Sequence, residues 1–388
     1  MADVEAYGFS LTNRGPVDRA LARVGLKSAE PPRLYVRAFV PALVIWLPLL
    51  LLALARPRAD VAITFLEDLT THVRFLLVVP LLVIAEASIG RRTRLVAAGF
   101  VDARLITAAD RPRFEALLQR TGRAFESNLA EVVIAVIVVT FVWTAMRRLN
   151  ADAFQSWFEE VTASDATRLT AAGWWYAIGS CLPGFLFLRW VWRYLVWCWL
   201  LMRISRLDLQ LVATHPDRAS GLAFVGLGHT AFALLGFAAS CLLAAAAGTR
   251  VLHEGAALAS FKWPAAVLVG FVILIGIAPL AVFMRPLRLA KERGLLEYGN
   301  FSSRYVQAFH REWIGSKAGE RPLDARDDIG PLADIGASFE RVYEARLLPL
   351  TLKSAATFAV AALLPMLPLL LIVVPLRELL KLLAQAMI

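Results

Sequence analysis

The sequence is poor in charge and in the residues that usually perform catalysis. Only 19% of its 388 residues are charged and 59% are hydrophobic, whereas soluble domains are usually about 25% charged and about 45–50% apolar. Five histidines and three cysteines are scattered along the chain, so neither a disulfide framework nor a metal site is expected. The sequence has no HExxH motif, Walker loop or GxSxG motif, and the enzymes that those motifs define are not predicted. No cofactor is expected.

The apolar residues are concentrated in seven runs of membrane-spanning length. These runs lie at roughly 38–56, 69–89, 129–147, 171–203, 222–248, 263–285 and 350–376. Because a helix of about 20 mainly apolar residues crosses a bilayer, we predict an all-α polytopic membrane protein with about seven transmembrane helices. The last run contains Pro365, Pro368 and Pro375, so a broken or re-entrant final helix is the alternative there.

The basic residues lie unevenly on the two sides of these runs. The N-terminal segment and every second connection together hold 28 Lys and Arg, and the other side holds 10. The positive-inside rule therefore predicts a cytoplasmic N-terminus and, with seven spans, a periplasmic C-terminus. The net charge of +10 is explained by this orientation and by contact with anionic lipids. Nucleic acid is not an expected partner, since no basic stripe with interleaved aromatic residues occurs.

The pattern divides the chain into a cytoplasmic segment (1–37), six spans (38–285), a second cytoplasmic segment (286–348) and a last span with its tail (349–388). Residues 109–128 and the 286–348 segment carry apolar side chains at helical spacing. They predict amphipathic helices that pack together as a cytoplasmic cap. Asp110 is expected to cap the first of them, and Asp328 the last.

The stretch at 214–221 reads THPDRASG and lies between two apolar runs. His-Pro-Asp also occurs in J-domains, but the flanking segments here are too apolar for the soluble helices of a J-domain. We expect Pro216 to end the preceding helix and Asp217 to cap the next one. Gly221, Gly226, Gly228 and Gly236 are expected to allow close helix contact. The alternative is a functional mouth in which His215, Asp217 and Arg218 bind an ion or a lipid.

Two patches resemble a group of uncharacterised bacterial multi-pass inner-membrane proteins. The patches are THPDRASGLAF at 214–224 and RPLDARDDIGPLADIGASFE at 321–340, and the apolar ending LLPMLPLLLIVVPLRELLKLL is similar too. The family pattern carries a glycine doublet where this chain has Ser220-Gly221, so the backbone is less permissive here. The resemblance implies a bacterial inner-membrane protein and brings no activity, substrate or catalytic residue.

Charged residues within the spans are the remaining candidates for function, because a charge inside a bilayer is costly. Arg189 and Arg193 lie four residues apart among tryptophans, and Glu86 lies in the second span. The arginines could form a paired anion site in a pore. Alternatively, the helix could overhang the cytoplasmic face, where the arginines would snorkel or pair with acids. In either case we expect Glu86 to lie within salt-bridge reach of Arg193. His229, in the fifth span, is expected to be a packing histidine rather than a metal ligand.

The pattern as a whole favours a self-associating inner-membrane channel or transport-related protein. The candidate pore, ion or lipid site consists of Glu86, Arg189, Arg193, His215, Asp217, Arg218 and His229. Two alternatives remain open at this point. One is a membrane-embedded enzyme that acts on a lipid at the cytoplasmic leaflet. The other is a scaffold or sensor that recruits a soluble partner through 286–348.

Overall fold

Nine helices and one short hairpin make up the described part of this computed structural model. The structure describes residues 31–55, 65–147, 157, 159–161, 167–314 and 329–369. The helices are α1 Pro31–Leu54, α2 Leu69–Asp102, α3 Arg111–Phe125, α4 Asn128–Arg147, α5 Ala171–Ile204, α6 Ala223–His253, α7 Leu258–Phe309, α8 Ile329–Tyr343 and α9 Leu352–Leu369. The antiparallel strands β1 Glu159–Val161 and β2 Thr167–Leu169 precede α5.

Seven helical stretches are long and apolar enough to cross a membrane. They are Arg33–Leu54, Leu69–Asp102, Arg111–Arg147, Ala171–Ile204, Ala223–His253, Leu258–Phe309 and Leu352–Leu369. Each overlaps one of the seven predicted runs, so the predicted number of apolar helices is confirmed. The helical fold is compatible with an integral membrane protein.

Several helices are longer than their apolar runs. α2 continues past its predicted end at residue 89 as far as Asp102. In this extension Thr93, Val96 and Phe100 are buried at spacings of three and four residues, so the extension is amphipathic. Arg91 is exposed, whereas Arg92 donates to the hydroxyl of Thr230 over 2.9 Å. α7 continues in the same way through its polar half to Phe309, as the aromatic spacing in 286–313 predicts.

Irregular turns interrupt some of the long helices where proline occurs. A 3₁₀ turn at Ala278–Phe283 contains Pro279, and another at Leu364–Met366 contains Pro365. Proline has no N–H for the i→i−4 bond, so the regular ladder is lost at these points. In α9 the helix resumes after this turn and is described as far as residue 369. The predicted remainder of the last span lies outside the described residues, as does Asp328.

Two connections meet at the end of the bundle that is predicted to be cytoplasmic. Ile106, between α2 and α3, forms a bridge with Leu209, between α5 and α6. The N–H of Asp208 donates to the Asp110 carboxylate over 2.8 Å. Asp110 lies immediately before α3, so the predicted N-cap position is confirmed. The expected side-chain cap bond is missing, because the carboxylate accepts from the neighbouring connection instead.

The amphipathic helices lie at this same end. α3 buries Phe114, Leu118 and Phe125 and packs against α5. α8 packs against the polar half of α7, where Lys291 donates to the carbonyl oxygen of Tyr343 over 2.7 Å. The predicted amphipathic helices are therefore present. The prediction that they all pack together was wrong, because the apolar face of α3 is buried against α5, while α8 packs on the polar half of α7.

Candidate functional site

Five charged side chains meet inside the helical bundle. Arg37 comes from α1, Glu86 from α2, Glu131 from α4, and Arg189 and Arg193 from α5; none is more than 8% exposed. We call this group the Glu86 cluster. Arg37 and Glu131 lie near the N-terminal ends of their helices, so the cluster lies nearer to the predicted cytoplasmic end than to the other end.

Glu86 is the common acceptor of the cluster. Its Oε1 atom accepts from Nη1 of Arg189 over 2.7 Å and from Nη1 of Arg193 over 2.8 Å. Its Oε2 atom accepts from Nη2 of Arg37 over 2.6 Å. One carboxylate thus joins α1, α2 and α5 through charge-assisted hydrogen bonds, which are the strong class of hydrogen bond.

A second carboxylate connects α4 to the same group. Oε1 of Glu131 lies 3.2 Å from Nε of Arg189. Arg189 therefore lies between two carboxylates, with its Nη1 on Glu86 and its Nε beside Glu131. Nε of Arg189 and Oε1 of Glu131 form an ion pair but no hydrogen bond with each other. The cluster thus pairs its buried charges on four helices, while its hydrogen bonds converge on Glu86.

The sequence predicted part of this cluster. The expected ion pair between Glu86 and Arg193 is present, and both arginines face protein. Of the alternative for an overhanging helix, the pairing with acids is observed, whereas snorkelling is not, since Arg189 is 3% and Arg193 2% exposed. Sequence reasoning missed Arg37 and Glu131, because both lie at the edges of apolar runs and resemble ordinary flanking charges.

The tryptophans around the two arginines hold α5 against its neighbours. Nε1 of Trp190 donates to the carbonyl oxygen of Leu82, one turn before Glu86, over 2.9 Å. The guanidinium of Arg193 lies over the Trp190 ring, 5.4 Å from its centroid. These contacts fix the depth of α5 relative to α2, and so they place the arginines level with Glu86.

A cavity of about 720 Å³ lies beside α5, between α2, α4 and α6. Charged groups that line it at the predicted periplasmic end include Asp68, Arg74, Arg250 and Glu254. Its wall on α5 extends to Leu188, the residue before Arg189. The Glu86 cluster therefore begins where the lining of this cavity on α5 ends. Arg74 donates a hydrogen bond to the hydroxyl of Tyr176, which also lines the cavity.

The loop at 214–221 is arranged around Asp217. Its Oδ1 accepts from the N–H groups of Ala219 and Gly221, over 2.8 and 3.1 Å. Its Oδ2 accepts from the N–H of Ala223, the first residue of α6, over 3.0 Å. The predicted cap is therefore present. The prediction that Pro216 ends the preceding helix was wrong, because α5 ends at Ile204 and its following residues instead pair with the α2–α3 connection.

This loop is bound to the chain that leads into α9. Nη2 of Arg346 donates to the carbonyl oxygen of Asp217 over 2.7 Å. The backbone N–H of Arg346 donates to the carbonyl oxygen of Arg218, also over 2.7 Å. The side chain of Arg218 lies 3.1 Å from Glu344. Asp217 and Arg218 thus have structural partners within the chain, namely backbone N–H groups for Asp217 and Glu344 for Arg218.

Burial raises the pKa of Asp217, but the N–H groups of Ala223, Ala219 and Gly221, with a contact from His215, lower it more, so the pKa lies below its usual range. Asp110 at the same end also has a lowered pKa, chiefly because it accepts from the N–H of Asp208. Both carboxyl groups are therefore held in their charged form at neutral pH.

The glycines predicted to allow close contact have two different roles. Gly221 has a φ of 95° and forms the turn before α6. In α6, a Cβ atom on Gly226 would lie 1.7 Å from the carbonyl oxygen of Pro349, and one on Gly228 would lie 2.2 Å from Val96. A Cβ atom on Gly236 would meet Val272 at 2.5 Å, so these three positions do allow close approach.

His229 lies among aromatic rings, as expected for a packing histidine. Its side chain is fully buried, and its Nδ1 accepts from Nε1 of Trp197 over 3.3 Å. Its ring lies 5.2 Å from that of Phe232 and 5.9 Å from that of Phe358. Within the described residues, no group of three His, Cys, Asp or Glu side chains could hold a metal ion.

The fold and the Glu86 cluster define a class rather than an individual protein. The class is that of helical proteins with seven apolar helices and an internal network of ion pairs, which suggests a membrane location. No family model, curated protein or solved structure matches the chain.

Proposed function

We propose that the chain is an integral membrane protein of the transport class, in which the cavity beside α5 is an outward-facing vestibule and the Glu86 cluster closes its inner end. The observation that carries the proposal is the adjacency of the two features along α5. Leu188 lines the cavity, and Arg189 belongs to the cluster. An ion or small polar solute that entered the vestibule would meet this network of charges.

The charge distribution supports a closed path rather than an open anion pore. Each oxygen of Glu86 accepts from at least one guanidinium, so the arginines are engaged with carboxylates. Passage would require α2 to separate from α1 or from α5 and break these contacts. Ion pairs that join separate helices are suited to such a role, because they are formed when the helices are together and broken when the helices separate.

The proposal also places the chain in the bacterial inner membrane with its N-terminus in the cytoplasm. The charge asymmetry of the connections supports this orientation. Reporter fusions after residues 60, 110, 160, 210, 255, 320 and 388 should lie alternately outside and inside, starting outside. A cytoplasmic reporter at residue 388 would indicate that the last span does not cross.

Thiol labelling tests the vestibule directly. In a background without Cys181, Cys198 and Cys241, single cysteines replace Thr249 and Ser180, which line the cavity. Val136, which is 60% exposed on α4, is the lipid-facing control position. A charged, impermeant methanethiosulfonate reagent added to intact cells should modify Thr249→Cys and Ser180→Cys but not Val136→Cys. Protection of both cavity positions would show that the vestibule is not water-filled.

Flux measurement tests the transport role. The full chain is reconstituted in liposomes, and the entry of iodide and of potassium is followed separately. We expect flux of at least one of these ions, and modification of Thr249→Cys should reduce it while modification of the solvent-exposed control Glu340→Cys should not. Labelling of the vestibule without any change in flux would contradict the transport role and leave a water-filled cavity of another function.

A further inference from the structure

A second cavity, of about 830 Å³, lies at the predicted cytoplasmic end. It is formed by the connection between α5 and α6 and by the part of α7 that follows its 3₁₀ turn. Its lining includes three arginines: Arg206 from the connection, and Arg285 and Arg293 from α7. We call this cavity the basic groove. It belongs neither to the vestibule nor to the Glu86 cluster.

The arginines of the basic groove are not engaged in ion pairs. Within the part of the chain that the structure describes, Arg206, Arg285 and Arg293 form none, whereas Arg288 on the same helix lies 3.5 Å from Glu292. Two acidic residues, Asp208 and Glu297, also line the groove. The lining therefore carries three positive and two negative side chains, with a net positive charge.

The apolar part of the lining indicates the depth of the groove. Met202 lies in the last turn of α5, and Val282 lies in the apolar half of α7. Arg285 and Leu289 follow one and two turns later. The groove thus runs from the end of two apolar helices into the first polar turns beyond them. In the predicted orientation, this is the depth of the cytoplasmic headgroups.

We propose that the basic groove binds the headgroup of an anionic phospholipid. Its phosphate would interact with Arg206, Arg285 and Arg293, because one guanidinium group can donate two parallel hydrogen bonds to the oxygens of a phosphate. The upper acyl chain would lie beside Met202 and Val282. Basic pockets between helices at the cytoplasmic surface are suited to such lipids. A free phosphate would use the arginines and leave the apolar wall uncovered, so the groove fits a lipid better.

The experiment measures lipid binding to the full chain in a neutral detergent by native mass spectrometry. The probes are dioctanoyl phosphatidylglycerol, dioctanoyl phosphatidylcholine and inorganic phosphate. The variant Arg206→Gln/Arg285→Gln/Arg293→Gln removes the groove charges. The control variant Arg120→Gln/Arg123→Gln/Arg304→Gln removes the same charge from exposed positions outside the groove. Both variants must first elute as folded protein in size-exclusion chromatography.

We expect the groove variant to bind phosphatidylglycerol at least about tenfold more weakly than the unchanged chain, since each arginine near a membrane surface contributes on the order of a fivefold change. The control variant should bind it normally. Phosphatidylcholine should bind more weakly than phosphatidylglycerol to the unchanged chain and to the control variant. Equal losses in both triple variants would show that surface charge alone attracts the lipid, and would overturn the site.

Two further measurements test lipid binding at the groove even if the groove variant does not fold. Glu297→Gln removes a negative charge from the lining, so it should strengthen phosphatidylglycerol binding severalfold, a gain that misfolding does not produce. Inorganic phosphate at the same concentration should not displace the bound lipid. Displacement by phosphate, or no gain in Glu297→Gln, would contradict the assignment to an anionic lipid.

Discussion

Glu86 and Asp217 each gather three or more donors, but the donors differ in kind. Glu86 is 5% exposed and accepts from three guanidinium groups on two other helices. Asp217 is half-buried and accepts from three backbone N–H groups within six residues of itself. The first carboxylate holds distant elements together, and the second shapes a local turn.

The difference determines what happens when each carboxylate is lost. Without Glu86, full positive charges would remain in a buried site, and the free energy of such a site is high. Without Asp217, the neutral N–H groups of Ala219 and Gly221, which belong to buried residues, would lose their acceptor, and an unsatisfied neutral donor costs less than an unpaired charge. We therefore expect the two sites to differ severalfold in their contribution to stability, although both have a carboxylate as their common acceptor.

The largest effect is expected for Glu86→Gln. Removing one partner of a buried ion pair typically costs about 3–5 kcal/mol, so the free energy of unfolding in mixed micelles should fall by that order. The double variant Glu86→Gln/Arg193→Gln should be less destabilised than Glu86→Gln alone, because one unpaired charge is removed as well.

The matched control for this experiment is Glu115→Gln, which removes an exposed i,i+4 ion pair with Arg111. Exposed pairs of this kind contribute about 0.3–0.5 kcal/mol. Similar small losses in Glu86→Gln and Glu115→Gln would show that the Glu86 cluster does not stabilise the fold, and the contrast between the two carboxylates would disappear.

A large effect is also expected where α6 meets the chain before α9. A Cβ atom on Gly226 would lie 1.7 Å from the carbonyl oxygen of Pro349, a backbone atom that cannot rotate away. Gly226→Ala should therefore cost about 1–3 kcal/mol through overpacking. In Gly270→Ala, no atom lies within 4 Å of the new Cβ, so that variant should gain up to about 1 kcal/mol of helix propensity. A neutral Gly226→Ala would show that α6 and the 349–350 backbone are not in close contact.

Asp217→Ala should have a smaller effect. Loss of a helix cap costs about 0.5–2 kcal/mol, and this carboxylate is at the surface end of α6. Asp217→Asn keeps one carbonyl oxygen for the N–H groups of Ala219 and Gly221, and should lose less than Asp217→Ala. Thermal unfolding of the three proteins measures these losses. Equal losses in the Asn and Ala variants would contradict the prediction and assign the effect to charge rather than to hydrogen bonding.

These two sites also differ in how far the sequence predicts them. The cap at Asp217 is local, and a residue that caps a helix lies close to it in sequence. The Glu86–Arg193 pair joins residues 107 apart, but it is predictable because charges inside apolar runs must find partners. Arg37 and Glu131 are not predictable by this argument, since charges at the ends of spans are common and carry no demand for pairing.

The fold shows the same limit. Apolar length predicts the helices, because each must be about 20 residues long to span a bilayer. Helix packing depends on side-chain shape across the bundle, which a single sequence does not display. The bonds from Asp208 to Asp110 and from Arg346 to Asp217 are examples. Each joins two connections that are far apart in the chain, so neither could be predicted from local pattern.

The pH dependence of the loop at 214–221 should be smaller again. The pKa of Asp217 lies below its ordinary value of 3.8 in the folded chain, so its contribution to stability is fully present above that value. The contribution is lost as the pH falls below 3.8 and through the depressed folded pKa. Between pH 6 and pH 3, the unchanged chain should therefore lose more thermal stability than Asp217→Asn. Parallel curves for the two proteins would show that this carboxyl group has no depressed pKa.

The smallest effect is expected for His215→Gln. The side chain of His215 is 45% exposed, and its Nδ1 lies 2.9 Å from Oδ1 of Asp217. A partner that is two residues away and open to water adds little to a carboxylate that already accepts from three N–H groups, so the change in stability should stay within about 0.5 kcal/mol. Glutamine retains a polar side chain of similar reach, and flux in liposomes should be unchanged as well. If His215→Gln remains folded and loses flux, the loop at 214–221 acts on a transported or bound species, and its structural role alone does not explain the His-Pro-Asp tripeptide.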